Sequence, residues 1–377
     1  MSTLMLDQAL KSDSVSLCVA ESGAAAVFDR GEFSRRVPAR WLRMMVLSVE
    51  ESDSFAPRPA LSTVIPTDVR LRSISYLEEF DAWDVQFEGE NQLFRIDRDR
   101  LGASSDMLLG DGPEQTPFNS SDQPNRQIDS ETLESPAAVR SFLDSLLRRG
   151  YGRIRGVKTD DASFFKILKR LGFDGSQSQL ITEREVLHHD GSGGSAHLLS
   201  PHTEAPHRDP MPDYHIRLCV ETSLKGGDMI LVDGLNAVNT LAMESPIAAA
   251  ELSRWPMLFV GDRSGSERRL VPMLETGVDG SLRRIIFNDR AAIDFACPDD
   301  RLGVCAEAYE LLSRVVEREG IQNHFRVQAG DLVVIDNRRV LHGAKSGSSG
   351  ERTMLCGSMD RSHIMSTWRR ARSGDID

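Results

Sequence analysis

The sequence predicts a mainly β chain with flanking helices: a large double-stranded β-helix, or jelly-roll, domain over residues 131–377 behind a small β-rich N-terminal domain over residues 1–100. Three observations predict it. After one helical stretch, short apolar runs follow one another with turn residues such as Gly226-Gly227, Asp279-Gly280 and Gly330-Asp331 between them. The first hundred residues carry β-like runs of their own. Between the two, residues 101–130 turn to Gly, Ser, Asp, Asn, Gln and Pro with almost no periodicity, the composition of a linker.

Taken in order, the first domain holds VPARWLRMMVLSV from Val37, RLRSISYL from Arg70, and WDVQF followed by LFRI ending at Ile96, all read as β-like runs. A helix starts at Ser135-Pro136, because serine can cap the free N–H groups of a first turn and proline suits the first helical position. Val139, Phe142, Leu143 and Leu146 then recur with the helical period, and Gly150 stops it. A second short helix runs from about Ala162 to Leu171, with Phe165, Leu168 and Leu171 on one face. Strands follow at HIRLCVET from His215, DMILVDG from Asp228, PMLFVG from Pro256, RRIIFN from Arg283, FRV at Phe325, DLVVID from Asp331 and RTMLCGSM from Arg352. One inserted helix breaks the series: Cys305, Ala308, Tyr309, Leu312 and Val316 line one face of residues 305–319. The basic tail around Trp368 to Arg372 reads as a solvated helix face.

Composition narrows the function. A length of 377 residues with 40% apolar side chains supports a substantial core, and a net charge of −12 argues against a nucleic-acid or anionic-membrane partner. No apolar stretch reaches the ~20 residues of a membrane helix, and Asp7 and Lys11 break the apolar run at the start, so a cytoplasmic protein is expected. The cysteines, Cys18, Cys219, Cys297, Cys305 and Cys356, are scattered and form no CxxC pair, which removes a disulfide framework and a thiolate zinc site. Any metal must therefore be held by His and carboxylate.

Spacing two sets His202 and Glu204 on one face of an extended segment, and His342, just after DLVVID, can supply a third ligand. Two imidazoles and a carboxylate on one side of an octahedral ion leave positions open, the arrangement that non-haem Fe(II) oxygenases need. The same ligand set also suits catalytic zinc in a hydrolase, although no HExxH helix is present, and a jelly-roll that binds metal or ligand without turnover is a further reading.

HTEAPHRDPMP from His202, GGDMILVDG from Gly226, GDLVVIDNRRVLHG from Gly330 and ERTMLCGSMDR from Glu351 occur in a familiar order. Over roughly residues 135–365 the chain resembles the Fe(II)/2-oxoglutarate-dependent oxygenases, in the branch containing γ-butyrobetaine hydroxylase and taurine dioxygenase. The first domain is similar to the small N-terminal domain of the γ-butyrobetaine hydroxylase group through Trp41-Leu42-Arg43 and WDVQFEGENQLFRI. That group's zinc cysteines would follow the WLR, where this chain has Met44, Met45 and Val46, so no structural zinc is expected.

The resemblance implies iron ligands at His202, Glu204 and His342, with 2-oxoglutarate and dioxygen as cosubstrates and hydroxylation of a small polar or anionic metabolite. The acid is usually Asp. Halogenating relatives carry a small residue there, so Glu204 argues against halogenation. Arg352 matches the arginine that holds the far carboxylate of 2-oxoglutarate, with Arg361 as the alternative, and Met229 stands where Thr or Ser often assists the same carboxylate. His207 and Arg208 follow the metal motif and favour an anionic or polar substrate group, unless Arg208 pairs with Asp209 to shape a loop. Ser358 falls where γ-butyrobetaine hydroxylase is aromatic, and four tyrosines and four tryptophans leave little material for a trimethylammonium cage. Asn288 and Arg290 resemble a segment near the substrate pocket or form a hydrogen-bonded turn, and Asp336 and Asn337 orient the loop before His342. By the same analogy the protein is a homodimer.

Overall fold

The structure, a computed structural model of the chain, describes residues 15–30, 33–50, 65–98, 101, 112–122, 127–173, 183–190, 199–223, 228–262, 264–277, 280–345 and 349–373. It divides into two compact units, Met1–Asp111 and Gly112–Asp377. Among the described residues no helix is long and apolar enough to cross a membrane.

The first unit holds two antiparallel three-stranded meanders, β1 (Val15–Ala20), β2 (Ala25–Arg30) and β3 (Phe33–Pro38), then β4 (Leu71–Leu77), β5 (Ala82–Phe87) and β6 (Leu93–Asp97). Its core joins Leu17, Phe28, Trp83, Val85, Phe87, Phe94 and Ile96 to Leu42 and Val46. Here the structure corrects the reading of VPARWLRMMVLSV as β-like: β3 ends at Pro38 and α1 (Ala39–Glu50) follows at once. The buried Ala39, Leu42 and Val46 recur at helical spacing, a period hidden by the β-branched and aromatic residues around them.

In the second unit, a six-stranded sheet runs in the order β7 (Gln127–Asp129), β8 (Tyr151–Arg155), β19 (Leu332–Asp336), β11 (Tyr214–Thr222), β21 (Ser349–Met359), β9 (Glu183–Asp190). A four-stranded sheet runs β10 (Leu199–His202), β20 (Val340–Ala344), β12 (Met229–Asp233), β18 (Gln322–Phe325). All neighbours pair antiparallel except β7 with β8. The inner faces of both sheets meet in one cluster, Cys219, Val333, Ile335, Met354 and Cys356 against Met229, Leu231, Phe325 and Val340.

Alternation along the strands supplies the outer layers. Tyr214, Ile216, Leu218, Leu332 and Val334 face outward from the larger sheet and pack with Val139, Phe142, Leu143 and Leu146 of α2 (Pro136–Arg149), Phe164 and Leu168 of α3 (Asp161–Arg170), and Ile364, Met365 and Trp368 of α7 (Arg361–Ser373). The arginines Arg369, Arg370 and Arg372 of α7 are exposed on its other face. Ile230, Val232 and Leu341 of the smaller sheet are covered by α4 (Gly234–Glu244), α5 (Pro246–Arg254), α6 (Asp299–Val316) and inserted strands that include β13 (Pro256–Val260), β14 (Arg268–Pro272) and β16 (Leu282–Ile285).

The expected caps of α2 form: the Ser135 side chain accepts from Ala138 N, Pro136 opens the helix, and Gly150 closes it at φ 78°. Two insert helices went unanticipated, since the sequence reading placed a single helix between the strands. Asp233 ends β12 and caps α4 directly, and Ser245-Pro246 opens α5 with the signal that marks α2. In α3, Phe164 is buried while Phe165 is 38% exposed, one position from the face expected.

Residues 101–130, expected as a linker, hold part of the second unit. Phe118 is buried between Tyr151 and the sandwich interior, Thr116 N donates to the Arg148 carbonyl at 2.9 Å, and Gln127–Asp129 forms β7. Its described residues 112–122 and 127–130 are fixed by single anchors instead of a repeating apolar face, so periodicity could not reveal them. Its main tie is a buried ion pair. Arg339 donates to Asp233 at 2.7 and 3.0 Å and to the carbonyls of Thr116 and Arg148, while Asp233 also accepts from Phe118 N at 2.9 Å. Asp233 is 0% exposed and Arg339 4%. Removing one partner strands the other charge, so Asp233→Ala should lose about 3–5 kcal/mol of stability, read as the shift in urea unfolding. A loss under about 1 kcal/mol, the value of a surface pair, would contradict this role.

Candidate metal centre

β10 and β20 pair so that His202 lies directly opposite His342, with ring centroids 4.6 Å apart. β10 ends at His202, so Glu204 does not reach the site by strand alternation. Thr203 N donates to the Phe287 carbonyl at 2.7 Å, and Asn337 Oδ1 accepts from Glu204 N at 2.7 Å while its Nδ2 donates to the Glu204 and Pro212 carbonyls. The chain then reverses at Ala205, whose φ of 50° lies in the left-handed region, a strained backbone for a residue with a Cβ. The result brings Glu204 Oε2 to 4.0 Å from His202 Nε2 and 3.7 Å from His342 Nε2. Ligand atoms of the three residues all lie within 4.8 Å of one another.

The donor chemistry fits a divalent first-row metal. His202 Nδ1–H donates to the Ser200 carbonyl at 2.8 Å, which leaves its Nε2 lone pair free to ligate. His342 Nε2 faces a guanidinium N–H at 3.4 Å and so presents a lone pair as well. Two imidazoles and one half-buried carboxylate would hold the ion from one side.

Two residues at this centre escaped the sequence reading. His215 Nε2 lies 3.8 Å from Glu204 Oε2, and its ring stacks on His342 at 5.3 Å. Arg217, two positions along β11, contacts both rings, with its Nη1 3.4 Å from His342 Nε2 and 3.5 Å from His215 Nε2. The signal was present in HIRLCVET: His215, Arg217 and Cys219 alternate with Ile216 and Leu218, and an apolar outer face sends the polar set inward. Burial depresses all three imidazoles below the ordinary histidine value, His215 to about 4, so they are neutral at pH 7. Burial raises the Glu204 carboxyl, but His215, His202 and Arg217 more than offset it, and the group lies below the usual carboxylate range.

Beside His342 a narrow cavity is lined by Arg217, Met229, Gly343, Ala344, Arg352 and Met354. Arg352 is 4% exposed, and its Nε has no hydrogen-bond partner among the described residues. Burial pushes this guanidinium down from its ordinary value. Arg361 lies elsewhere: its Nη1 contacts the Tyr214 hydroxyl at 3.4 Å and Asp336 at 3.9 Å, and Tyr214 belongs to the outward-facing cluster. That placement removes Arg361 as an alternative anchor in the cavity.

The remaining candidates scatter. His207 lies 3.3 Å from Glu267 and packs over Gly261, where a Cβ would come within 2.4 Å of its ring. Arg208 N closes a turn onto the Ala205 carbonyl, and Asp209 faces Arg269 at 3.8 Å instead of pairing with Arg208. Asn288 forms the hydrogen-bonded turn: its Nδ2 donates to the Thr203 carbonyl and its Oδ1 accepts from Arg290 N. Arg290 is exposed, yet its charge helps to depress both His202 and His342. Ser358 lies across from His215 in the β11–β21 pair, on the same face. The Gly- and Ser-rich run DGSGGS starts at Asp190, the last residue of β9, and its residues 191–195 lie outside the described residues.

Residues 114–359 match the family model described as "Taurine catabolism dioxygenase TauD, TfdA family". Among curated proteins the chain is 27% identical over 245 residues to γ-butyrobetaine dioxygenase of Pseudomonas sp. (strain AK-1), covering 64% of this chain and 62% of the relative. It is 32% identical over 154 residues to trimethyllysine dioxygenase of Neurospora crassa, covering 38% and 32%. The matches thus span under two thirds of these relatives' lengths. Among solved structures, a taurine dioxygenase from Burkholderia xenovorans superposes with a TM-score of 0.46 at 15% identity, covering 65% of this chain and 90% of that one.

The Asn337 clamp predicts that Asn337→Ala weakens metal binding about 10–100-fold, measured by titrating the metal-free protein with Mn(II); unchanged affinity would mean that Glu204 holds its place unaided. A second expectation concerns pH. Imidazoles depressed in the folded state bind protons less readily than in the unfolded chain. Their contribution to stability is complete above about pH 6.5 and is lost as pH falls toward 4. The urea midpoint of the metal-free protein should drop across that window, and His215→Gln should flatten the drop. An identical slope in the variant would contradict a buried neutral His215.

Proposed function

The chain belongs to the taurine catabolism dioxygenase TauD, TfdA family, and on that premise we propose that it is an Fe(II)- and 2-oxoglutarate-dependent oxygenase that hydroxylates a small polar or anionic metabolite. One observation carries the reading: His202, Glu204 and His342 converge beside a narrow cavity lined by the buried guanidinium of Arg352. Substrate, 2-oxoglutarate and dioxygen would give hydroxylated product, succinate and CO2, with one oxygen atom in the product and one in succinate. The bound iron supplies the dioxygen chemistry.

The chain's own residues do the rest. His202, Glu204 and His342 hold the ion from one side and leave its other positions open. Arg352 takes the far carboxylate of 2-oxoglutarate through a charge-assisted fork. Met229 and Met354 close the cavity against water, and Met229 offers no hydroxyl to that carboxylate. The two facing sheets are read as a double-stranded β-helix, with the centre between them. The names of the relatives suggest trimethylammonium substrates, which call for an aromatic cage. His215, Arg290 and Ser358 around this centre suit an anion better. Assembly as a homodimer through the first unit and a cytoplasmic location complete the proposal by analogy.

Anaerobic Fe(II) plus 2-oxoglutarate should produce a weak visible charge-transfer band, and His202→Ala or His342→Ala should abolish it. No band at millimolar cosubstrate would overturn the oxygenase reading, and turnover with zinc alone would favour a hydrolase. Arg352→Ala should weaken 2-oxoglutarate by about 1.5–3 kcal/mol, roughly 10- to 150-fold, in a calorimetric titration. Unchanged affinity would remove Arg352 from the cosubstrate site.

A further inference from the structure

Asn337 and Thr203 hold the backbone that leads into Glu204. The backbone that leads out of it is strained, since Ala205 follows at φ 50°. A left-handed alanine persists only where surrounding contacts hold it. Arg208 N donates to the Ala205 carbonyl at 3.1 Å, which closes residues 205–208 into one turn, and Pro206 stiffens that turn by fixing its own φ. A displacement within the turn is therefore passed back to Glu204.

His207 carries this turn onto a neighbouring element, the hairpin of β13 and β14. These strands pair from Pro256 with Pro272 to Val260 with Arg268, and beyond them Gly261 N donates to the Glu267 carbonyl at 2.8 Å. The end of the hairpin presents two groups to His207. Glu267 Oε2 lies 3.3 Å from its Nε2, and the imidazole ring lies against Gly261. A Cβ at position 261 would come within 2.6 Å of the ring atoms Cγ, Cδ2 and Nε2, too close for any side chain. Gly261 is not among the glycines with positive φ, so its bare Cα serves the close approach of the ring and not a special backbone conformation. Two positions after His207, Asp209 faces Arg269 of β14 at 3.8 Å, a second tie between the same loop and the same hairpin.

We propose that His207 is a positioning residue for the metal-binding carboxylate: seated on Gly261 and held by Glu267, it fixes the turn that aims Glu204 at the two imidazoles. A hairpin outside the two facing sheets thereby sets the third ligand. The proposal rests on the reading of His202, Glu204 and His342 as metal ligands.

The metal-free protein is titrated with Mn(II), which favours carboxylate oxygen, and with Zn(II), which imidazole suits. Gly261→Ala drives a methyl group into the His207 ring and should weaken Mn(II) about 10-fold, as should His207→Ala. Zn(II) should weaken by less than about 3-fold in each, because His202 and His342 keep their places on β10 and β20. The double variant should bind Mn(II) no more weakly than His207→Ala alone, since the ring atoms nearest the added methyl are then gone. His207→Gln, which keeps a donor toward Glu267, should recover part of the loss. Unchanged Mn(II) affinity in both single variants, additive losses in the double variant, or equal losses for the two ions would each overturn the role of His207, the last because general loosening weakens every ion alike. If either single variant does not fold, Glu267→Gln at the exposed end of the hairpin supplies the comparison, with a Mn(II) loss of about 2- to 5-fold expected and no loss counting against the proposal. Failure of the unsubstituted protein to bind either ion would remove the metal centre itself, a result distinct from binding that every variant shares.

Discussion

The centre depends on one antiparallel pairing, β10 on β20, which places His202 opposite His342. Side chains alternate along a strand, so a slip of one residue would turn one imidazole to the far face. The register is held from both sides. Leu341 must face the helical insert and Val340 the sandwich interior, while β12 pairs along the other edge of β20 with Leu231 against His342. Two imidazoles alone do not complete the donor set. The carboxylate comes from beyond the strand end, where Asn337 and Thr203 fix the backbone and Ala205 adopts a left-handed turn. Strain concentrates at the residue that follows Glu204, as is common where surrounding contacts over-determine a loop.

The interior between the sheets is divided by chemistry. One part is apolar, filled by Val333, Ile335, Leu231 and Met354, and the other carries three imidazoles and two guanidiniums. Burial keeps the imidazoles neutral, which limits the charge that this cluster places between the sheets. Ion pairs that serve the fold, Arg339 with Asp233 and Arg153 with Asp331, are complete within the chain.

Much of this was legible in the sequence. His202, Glu204, His342 and Arg352 stand in recognisable motifs, and the strands that carry them are strongly apolar. The misreadings have specific causes. α1 was hidden because Trp41 and Val46 favour strands by type, although Val46 carries the helical period together with Ala39 and Leu42. The segment around Phe118 lacked any period. His215 and Arg217 matched no motif, although strand alternation marked them as inward-facing. Arg361 was separable from Arg352 only once the outer face of the larger sheet was known.

The sequence by itself determined which residue types are available and which face of each strand they occupy, because alternation and helical period are local properties of the backbone. It therefore set the strand core, the capped helix at Ser135 and the candidate ligands. Only the tertiary structure decided which of those faces meet. His202, His215 and His342 lie on three strands of two different sheets, and Arg217 and Arg352 enter one cavity from separate strands. Contacts between residues more than a hundred positions apart arise from the packing of sheets, and no local pattern encodes them.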